Sequence, residues 1–393
     1  MDWNNIETPC FVLSEKRLLN NIGQFKKALD KFFPNNILGY SVKTNSLPFL
    51  LSLIKNSGCY AEVVSHDEYR LASAIGFGDA IVYNGPMKSK ESFVEAINKG
   101  NIVNIETYRE IEWLKSLNFN QEVKVGIRIN INLSRISPED CKDYEDFSRF
   151  GFSFENGELK KAIEDIEAID HVHLVGIHLH RTSKTRSLNV YRNIIKYAIQ
   201  IIDKFNLGLE YIDIGGGYFG DMPNRPTYED YVEGIYEELI KKLDCSKITL
   251  IVEPGNAIIA SPFYYLTSVI DTKNIDGHRI IVTDGTRNDV DPFFHKTDYF
   301  KSFIIENQER TTEKNQICVG CTCLENDILF KMEDSTRLEV GDIIKFDFTG
   351  AYTMCLSPLF IRYFPKVYFE SDSGLKIVRD CWTEKEYLQT SIF

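Results

Sequence analysis

Four short stretches of this chain carry side chains suited to covalent and acid–base chemistry on a small polar molecule. Lys43 closes the apolar run Ile37-Leu-Gly-Tyr-Ser-Val-Lys43. A lysine at the end of a buried run is costly unless it is paired or used, and partial burial makes its amine more nucleophilic, as a Schiff base requires. Asp213-Ile-Gly-Gly-Gly-Tyr-Phe-Gly220 puts three glycines straight after another apolar run. Backbone amides without side chains can close on a phosphate. Gly215, Gly217 and Gly220 also fit G-x-G-x-x-G, but late in the chain rather than opening a nucleotide fold, so Gly215, Gly216 and Gly217 read as a phosphate cradle. Glu253-Pro-Gly closes a third run and could face a protonated ring nitrogen. His178 and His180 alternate on a fourth. Their side chains share one face, where a planar imidazole could stack on a ring while the other fills core. Metal binding by this pair is the weaker reading, and no metal is expected.

Two further stretches lie later. Gly320-Cys-Thr-Cys323-Leu-Glu-Asn-Asp327 sits in an expected loop, where the Cys323 thiol could give a proton. Gly350-Ala-Tyr352 offers a hydroxyl for phosphate or amine.

The elements that must position these groups follow from periodicity. Apolar, β-branched runs at Ile37–Lys43, Tyr60–Ser65, Ala80–Gly85, Ile102–Glu106, Val123–Asn130, His173–His180, Tyr211–Gly217 and Thr249–Gly255 alternate with amphipathic segments such as Leu188–Phe205 and Tyr228–Leu243. Near-continuous apolar strands between helices predict a parallel sheet, and eight such units predict a (β/α)8 barrel. The strand ends then carry Lys43, Glu62, Asn84, Glu106, Arg128, His180, Gly215–Gly217 and Glu253, at the rim where barrel enzymes place their chemistry. Past about Ser268 short strands replace the helices. The expected division is a barrel over 20–268 and a β domain from 1–19 with 269–393.

Composition excludes several classes. A net charge of −12 over 393 residues lacks the basic stripe of a nucleic-acid binder. No apolar stretch reaches the ~20 residues of a membrane span, and Met1–Asn5 lacks the basic start of a signal peptide. Nine cysteines without framework spacing read as reduced thiols, which makes a cytoplasmic location the expectation.

In this order, Tyr40-Ser-Val-Lys-Thr-Asn45, the His180 strand end, Gly-Gly-Gly, Glu-Pro-Gly, the Cys loop and Gly-Ala-Tyr resemble the fold-type III decarboxylases acting on diaminopimelate, ornithine and arginine. The resemblance spans Thr8 to Phe369. It implies an alanine-racemase-like barrel plus β domain, pyridoxal 5'-phosphate, an amino-acid substrate and a head-to-tail homodimer with shared active sites. On that resemblance Lys43 carries the cofactor, His180 stacks on its ring and Glu253 pairs with its nitrogen. Gly215, Gly216, Gly217, Ser183 and Tyr352 hold its phosphate. Cys323 protonates the product carbanion in the partner's site, and Glu62, Glu68 and Arg128 support the lysine and ring.

Departures bear on the substrate. Diaminopimelate decarboxylases usually read Glu-Pro-Gly-Arg, and Asn256 stands in that arginine's place. Another arginine, before a proline after the barrel, is here Asp291, with Arg287 nearby as partial compensation. The histidine strand continues Arg181-Thr182-Ser183 where the family has an apolar residue and glycine. These differences point to a diamino acid or a conjugated intermediate, with Asp291 near its far end, rather than meso-diaminopimelate. The alternatives are diaminopimelate decarboxylase proper and a fold-III racemase, which shares the lysine but lacks the Cys loop.

Overall fold

The computed structural model describes residues 6–141, 147–306 and 309–392. Met1–Asn5, the residues read for a signal peptide, lie outside them. The chain divides into two compact units, Asn20–Ile258 and a second made of residues up to Leu19 with Ile259–Phe393.

The first unit is a closed parallel barrel. After β1 (Cys10–Ser14), which belongs to the second unit, its strands are β2 (Asn36–Ser41), β3 (Tyr60–Ser65), β4 (Ile81–Met87), β5 (Ile102–Ile105), β6 (Val123–Arg128), β7 (Val172–His178), β8 (Tyr211–Asp213) and β9 (Thr249–Val252). Closure comes from β2 pairing β9, with Leu38 opposite Val252. All eight expected strands are present, and six of them, all but β3 and β4, end earlier than expected because the polar residues there leave the ladder. Lys43, for example, sits in the single 3-10 turn Val42–Thr44 after β2.

Helices form where the apolar period is 3.6. Leu188–Phe205 buries Val190, Ile194, Ile195, Ala198, Ile201 and Ile202 on one face. The Ser187 side chain caps it by accepting from the Val190 amide, and Asn206 ends it in a left-handed turn (φ +52°). Inside the barrel, Tyr211 lies across the strands. A Cβ on Gly126 or Gly176 would come within 2.1 or 2.0 Å of it, so these glycines make the room. Its hydroxyl donates to Asn104 Oδ1 at 2.8 Å.

The second unit is a nine-stranded sheet. Its central strand, Phe263–Ile275, pairs with β1 and with His278–Thr283 and Ile343–Asp347. β1 also pairs in parallel with Lys366–Ser371. Cys10–Leu13, Phe263, Leu266 and Phe346 are buried in its core.

Candidate active site

A cavity of about 420 Å³ opens at the C-terminal ends of the barrel strands and is lined by Lys43, Glu62, Arg128, His178, His180 and Glu253 among others. The Lys43 amine donates to Glu62 Oε2 at 2.7 Å, and the Ser41 hydroxyl donates to the same oxygen at 2.6 Å. Glu62 is buried, whereas 38% of the Lys43 side chain stays exposed. The lysine is therefore held by a carboxylate but reachable from the cavity. Glu68, in the first turn of the helix His66–Ile75, accepts from the Val64 amide at 2.8 Å. Burial pushes its carboxyl up, against the pull of that amide.

Asn84 bridges the two acids that face the cavity. Its amide donates to Glu253 Oε1 at 2.5 Å and, more weakly, to Glu62 Oε1 at 3.3 Å. Below them lies Asp213, fully buried and in hydrogen-bonding contact with Glu253. Asp213 accepts from the Gly215 amide at 2.9 Å and from Asn104 at 3.3 Å. Burial raises both carboxyls, Asp213 further because Glu253 presses its negative charge on it.

Arg128, buried, pairs with Glu106 at 2.9 Å and reaches toward the His180 carbonyl at 3.5 Å. Its guanidinium lies over the Phe150 ring, 4.6 Å from the centroid. The two histidine rings stack 6.4 Å apart with planes 12° from parallel. Burial first, then the positive charge of Arg128, hold both imidazoles well below the usual histidine range, so both are neutral. The Gly216 amide donates to His180 Nδ1 at 3.1 Å, which places the ring proton on Nε2. His178 is buried with neither nitrogen hydrogen-bonded, although Nε2 lies 3.4 Å from Glu253.

The glycine run packs against these groups. A Cβ on Gly215 would come within 2.4 Å of His180, and one on Gly216 within 2.4 Å of the Glu253 carbonyl. Gly217 (φ +98°) meets only the Tyr191 hydroxyl, at 3.1 Å. Ser183, in the loop after β7, accepts from the Arg186 amide at 2.9 Å. Asp140 braces that loop, accepting from Ser187 at 2.9 Å and from the Thr185 hydroxyl. Asn256, half-buried, begins the turn Asn256–Ile259 directly after Glu253-Pro-Gly.

The remaining expected residues lie in the sheet unit. Cys323 is exposed in a loop whose hub is Asp327, which is buried and accepts from the Thr322 hydroxyl at 2.6 Å and the Arg287 amide at 2.8 Å. Tyr352 is also exposed, with φ +55°. Asp291 differs from expectation. It is buried and ion-paired with Arg287 at 2.8 Å, and it accepts from the Lys296 and His295 amides at 2.9 and 3.1 Å. Burial pushes its carboxyl up, but these donors outweigh it and hold it below the usual range. Arg287 and Asp291 are thus spent on each other. Their spacing of four in a turn capped by Thr286 was the signal for that pair.

Sequence reading passed over Asp213, Asn104 and Tyr211. Each is a polar side chain inside an apolar strand, which is the usual mark of a buried network.

Comparison with known proteins agrees along the whole chain. It is 25% identical to the diaminopimelate decarboxylase of Methanocaldococcus jannaschii, over 98% of this chain and 91% of that protein. It is also 25% identical to the 2-[(L-alanin-3-ylcarbamoyl)methyl]-2-hydroxybutanedioate decarboxylase of Staphylococcus aureus, over 81% of this chain and 83% of that one. The crystal structure of the M. jannaschii diaminopimelate decarboxylase superposes with a TM-score of 0.84 at 23% identity, covering 99% of this chain and 93% of that one. The arginine decarboxylase of Paramecium bursaria Chlorella virus gives 0.75 at 20% identity, covering 93% and 97%. Residues 18–260 match the family described as pyridoxal-dependent decarboxylase, pyridoxal binding domain, and the chain belongs to that family.

Proposed function

We propose that this pyridoxal-phosphate-dependent decarboxylase acts on an α-amino acid whose far end is conjugated, using Lys43 to carry the cofactor. The observation behind the first part is the closed Arg287–Asp291 pair. Asp291, engaged by Arg287, is not available to read a cationic far end, and Asn256 leaves the usual arginine missing. A neutral or amide-linked far end suits that combination better than a simple diamino acid. The S. aureus relative, by its name, acts on such a conjugate. Diaminopimelate itself is the second reading, favoured by the M. jannaschii relative. Rates on a panel of meso-diaminopimelate, ornithine, arginine and amide conjugates of diamino acids decide between them. Efficient turnover of meso-diaminopimelate alone would overturn the conjugate reading.

The residues present fit the cofactor. The glycine run leaves no space for side chains, as a phosphate cradle needs, and His178 keeps unpaired buried nitrogens beside Glu253. Lys43 would hold it through its amine, leaving Glu62. Glu253 would face its ring nitrogen, and Gly215–Gly217, Ser183 and Tyr352 its phosphate. When bound, pyridoxal phosphate supplies an electron sink for the bond to the departing carboxylate.

The chain's own groups do the rest. Neutral His180, fixed by the Gly216 amide, offers a flat uncharged face for the ring to lie against. Arg128, anchored by Glu106, keeps a positive charge beside the strand end, which favours an anionic substrate group in the cavity. Cys323, exposed on its loop, would supply the proton at Cα in a second copy's site. A homodimer is supported by the apolar side chains that the sheet unit exposes over 352–363, including Leu356, Phe360 and Ile361. Cytoplasmic residence is supported by the cysteines, none of which is in a disulfide among the described residues. Among the described residues no helix is long and apolar enough to cross a membrane.

A further inference from the structure

We propose that Asp213 carries a proton in the working enzyme and donates it as a hydrogen bond to Glu253, holding Glu253 ionised and aimed at the cofactor ring. Asp213 is then a positioning residue. The inference rests on the reading that Glu253 faces the ring nitrogen.

Geometry leads to it. Asp213 and Glu253 are buried and touch. The polar atoms of His178, Asp213 and Glu253 all lie within 4.8 Å of one another. Two ionised carboxylates cannot share such a space, so the pair keeps one proton. The neighbours decide which acid has it. Glu253 receives the Asn84 amide at 2.5 Å and feels the charges of Lys43 and Arg128, all of which favour its ionised form. Asp213 has the Gly215 amide and the longer Asn104 contact, with the negative charge of Glu62 against it.

The other groups facing the pair cannot take the role. His178 is neutral and out of line for a hydrogen bond. The Tyr211 phenol is spent on Asn104, which in turn donates to Asn84 Oδ1 at 2.8 Å. The chain Tyr211–Asn104–Asn84 thus fixes the Asn84 amide with its donor toward Glu253. Asp213 completes the set from below. If Asp213 were ionised, it would drive Glu253 to take up a proton and lose its hold on a protonated ring nitrogen.

The test compares Asp213→Asn, which keeps a donor without a titrating proton, with Asp213→Leu, which has none. Difference infrared spectra of the holoenzyme at neutral pH should contain the carbonyl stretch of a buried protonated carboxyl that D213N removes. Survival of that band in D213N would put the proton elsewhere and overturn the proposal. The ring-nitrogen shift of bound 15N-labelled pyridoxal phosphate should stay that of the protonated ring in D213N and change in D213L. The kcat of D213L should fall about 10- to 100-fold below that of D213N, the worth of one charge-assisted hydrogen bond. Equal loss in both variants would mean that an ionised Asp213 is required, and would also overturn it. A ring-nitrogen shift unmoved by Glu253→Gln counts instead against the Glu253 reading. The infrared arm does not depend on that reading, so the two failures are told apart.

Discussion

At the barrel rim the charged groups are buried or half-buried and answered within the same unit. Lys43 meets Glu62, Arg128 meets Glu106, and Glu253 meets Asn84 and Asp213. The sheet unit distributes its chemistry differently. Arg287 and Asp291 are closed on each other and Asp327 braces the loop that carries Cys323, while Cys323 and Tyr352 stand exposed. One region is a preorganised pocket, and the other presents single side chains at its surface. If a second copy finishes the site as proposed, it would need both: a pocket that keeps its geometry alone, and a loop that can present a thiol to another chain.

Cys323→Ala should break this division most visibly. If its thiol gives the proton, kcat should fall by about 10²- to 10⁴-fold while the cofactor spectrum is unchanged. Coexpression of Cys323→Ala with Lys43→Ala subunits should recover activity, because a mixed dimer rebuilds one intact site. Recovery no greater than the sum of the separate variants would place each site within one chain.

The closed Arg287–Asp291 pair comes next. Asp291→Ala leaves the Arg287 guanidinium without its carboxylate, and the loss should be about 3 kcal/mol of unfolding free energy by denaturant titration. The variant should lose stability rather than change substrate preference. A switch of preference with unchanged stability would return Asp291 to the substrate.

A smaller effect of opposite sign comes from Asp289, buried in the sheet unit and accepting from the Tyr265 hydroxyl at 2.6 Å. Burial raises its carboxyl to about 6. The unfolded carboxyl titrates near 3.9, so between these values the folded state binds more protons. Its stability contribution is then fully present below about pH 4 and lost as pH rises through about 6. Asp289→Asn should abolish that loss, worth on the order of 2–3 kcal/mol, and unfolding measured from pH 4 to 8 checks it. The smallest effect belongs to the barrel: Ser187→Ala removes the cap of Leu188–Phe205 and should cost about 1 kcal/mol by the same measurement.

Much of the barrel site was legible because period and position coincide. A polar residue ending an apolar strand in a barrel must lie at the rim, and Lys43, Glu62, Arg128, His180 and Glu253 all do. Partnerships across the barrel were not legible. Asp213 and Glu253 are far apart in sequence, and only strand order brings β8 beside β9. Asp291 is the opposite case. Its partner was four residues away in plain view, but comparison with an arginine drew attention to its charge rather than to Arg287. The boundary expected at Ser268 falls inside the long strand Phe263–Ile275, because it was set where the helical rhythm stops and not where that strand begins.

Borohydride reduction of the holoenzyme followed by peptide mass mapping shows whether Lys43 carries the cofactor. The cofactor-derived mass is expected on the peptide containing Lys43, with no such adduct in Lys43→Ala. An adduct on another lysine, or none in the unaltered enzyme, would contradict it.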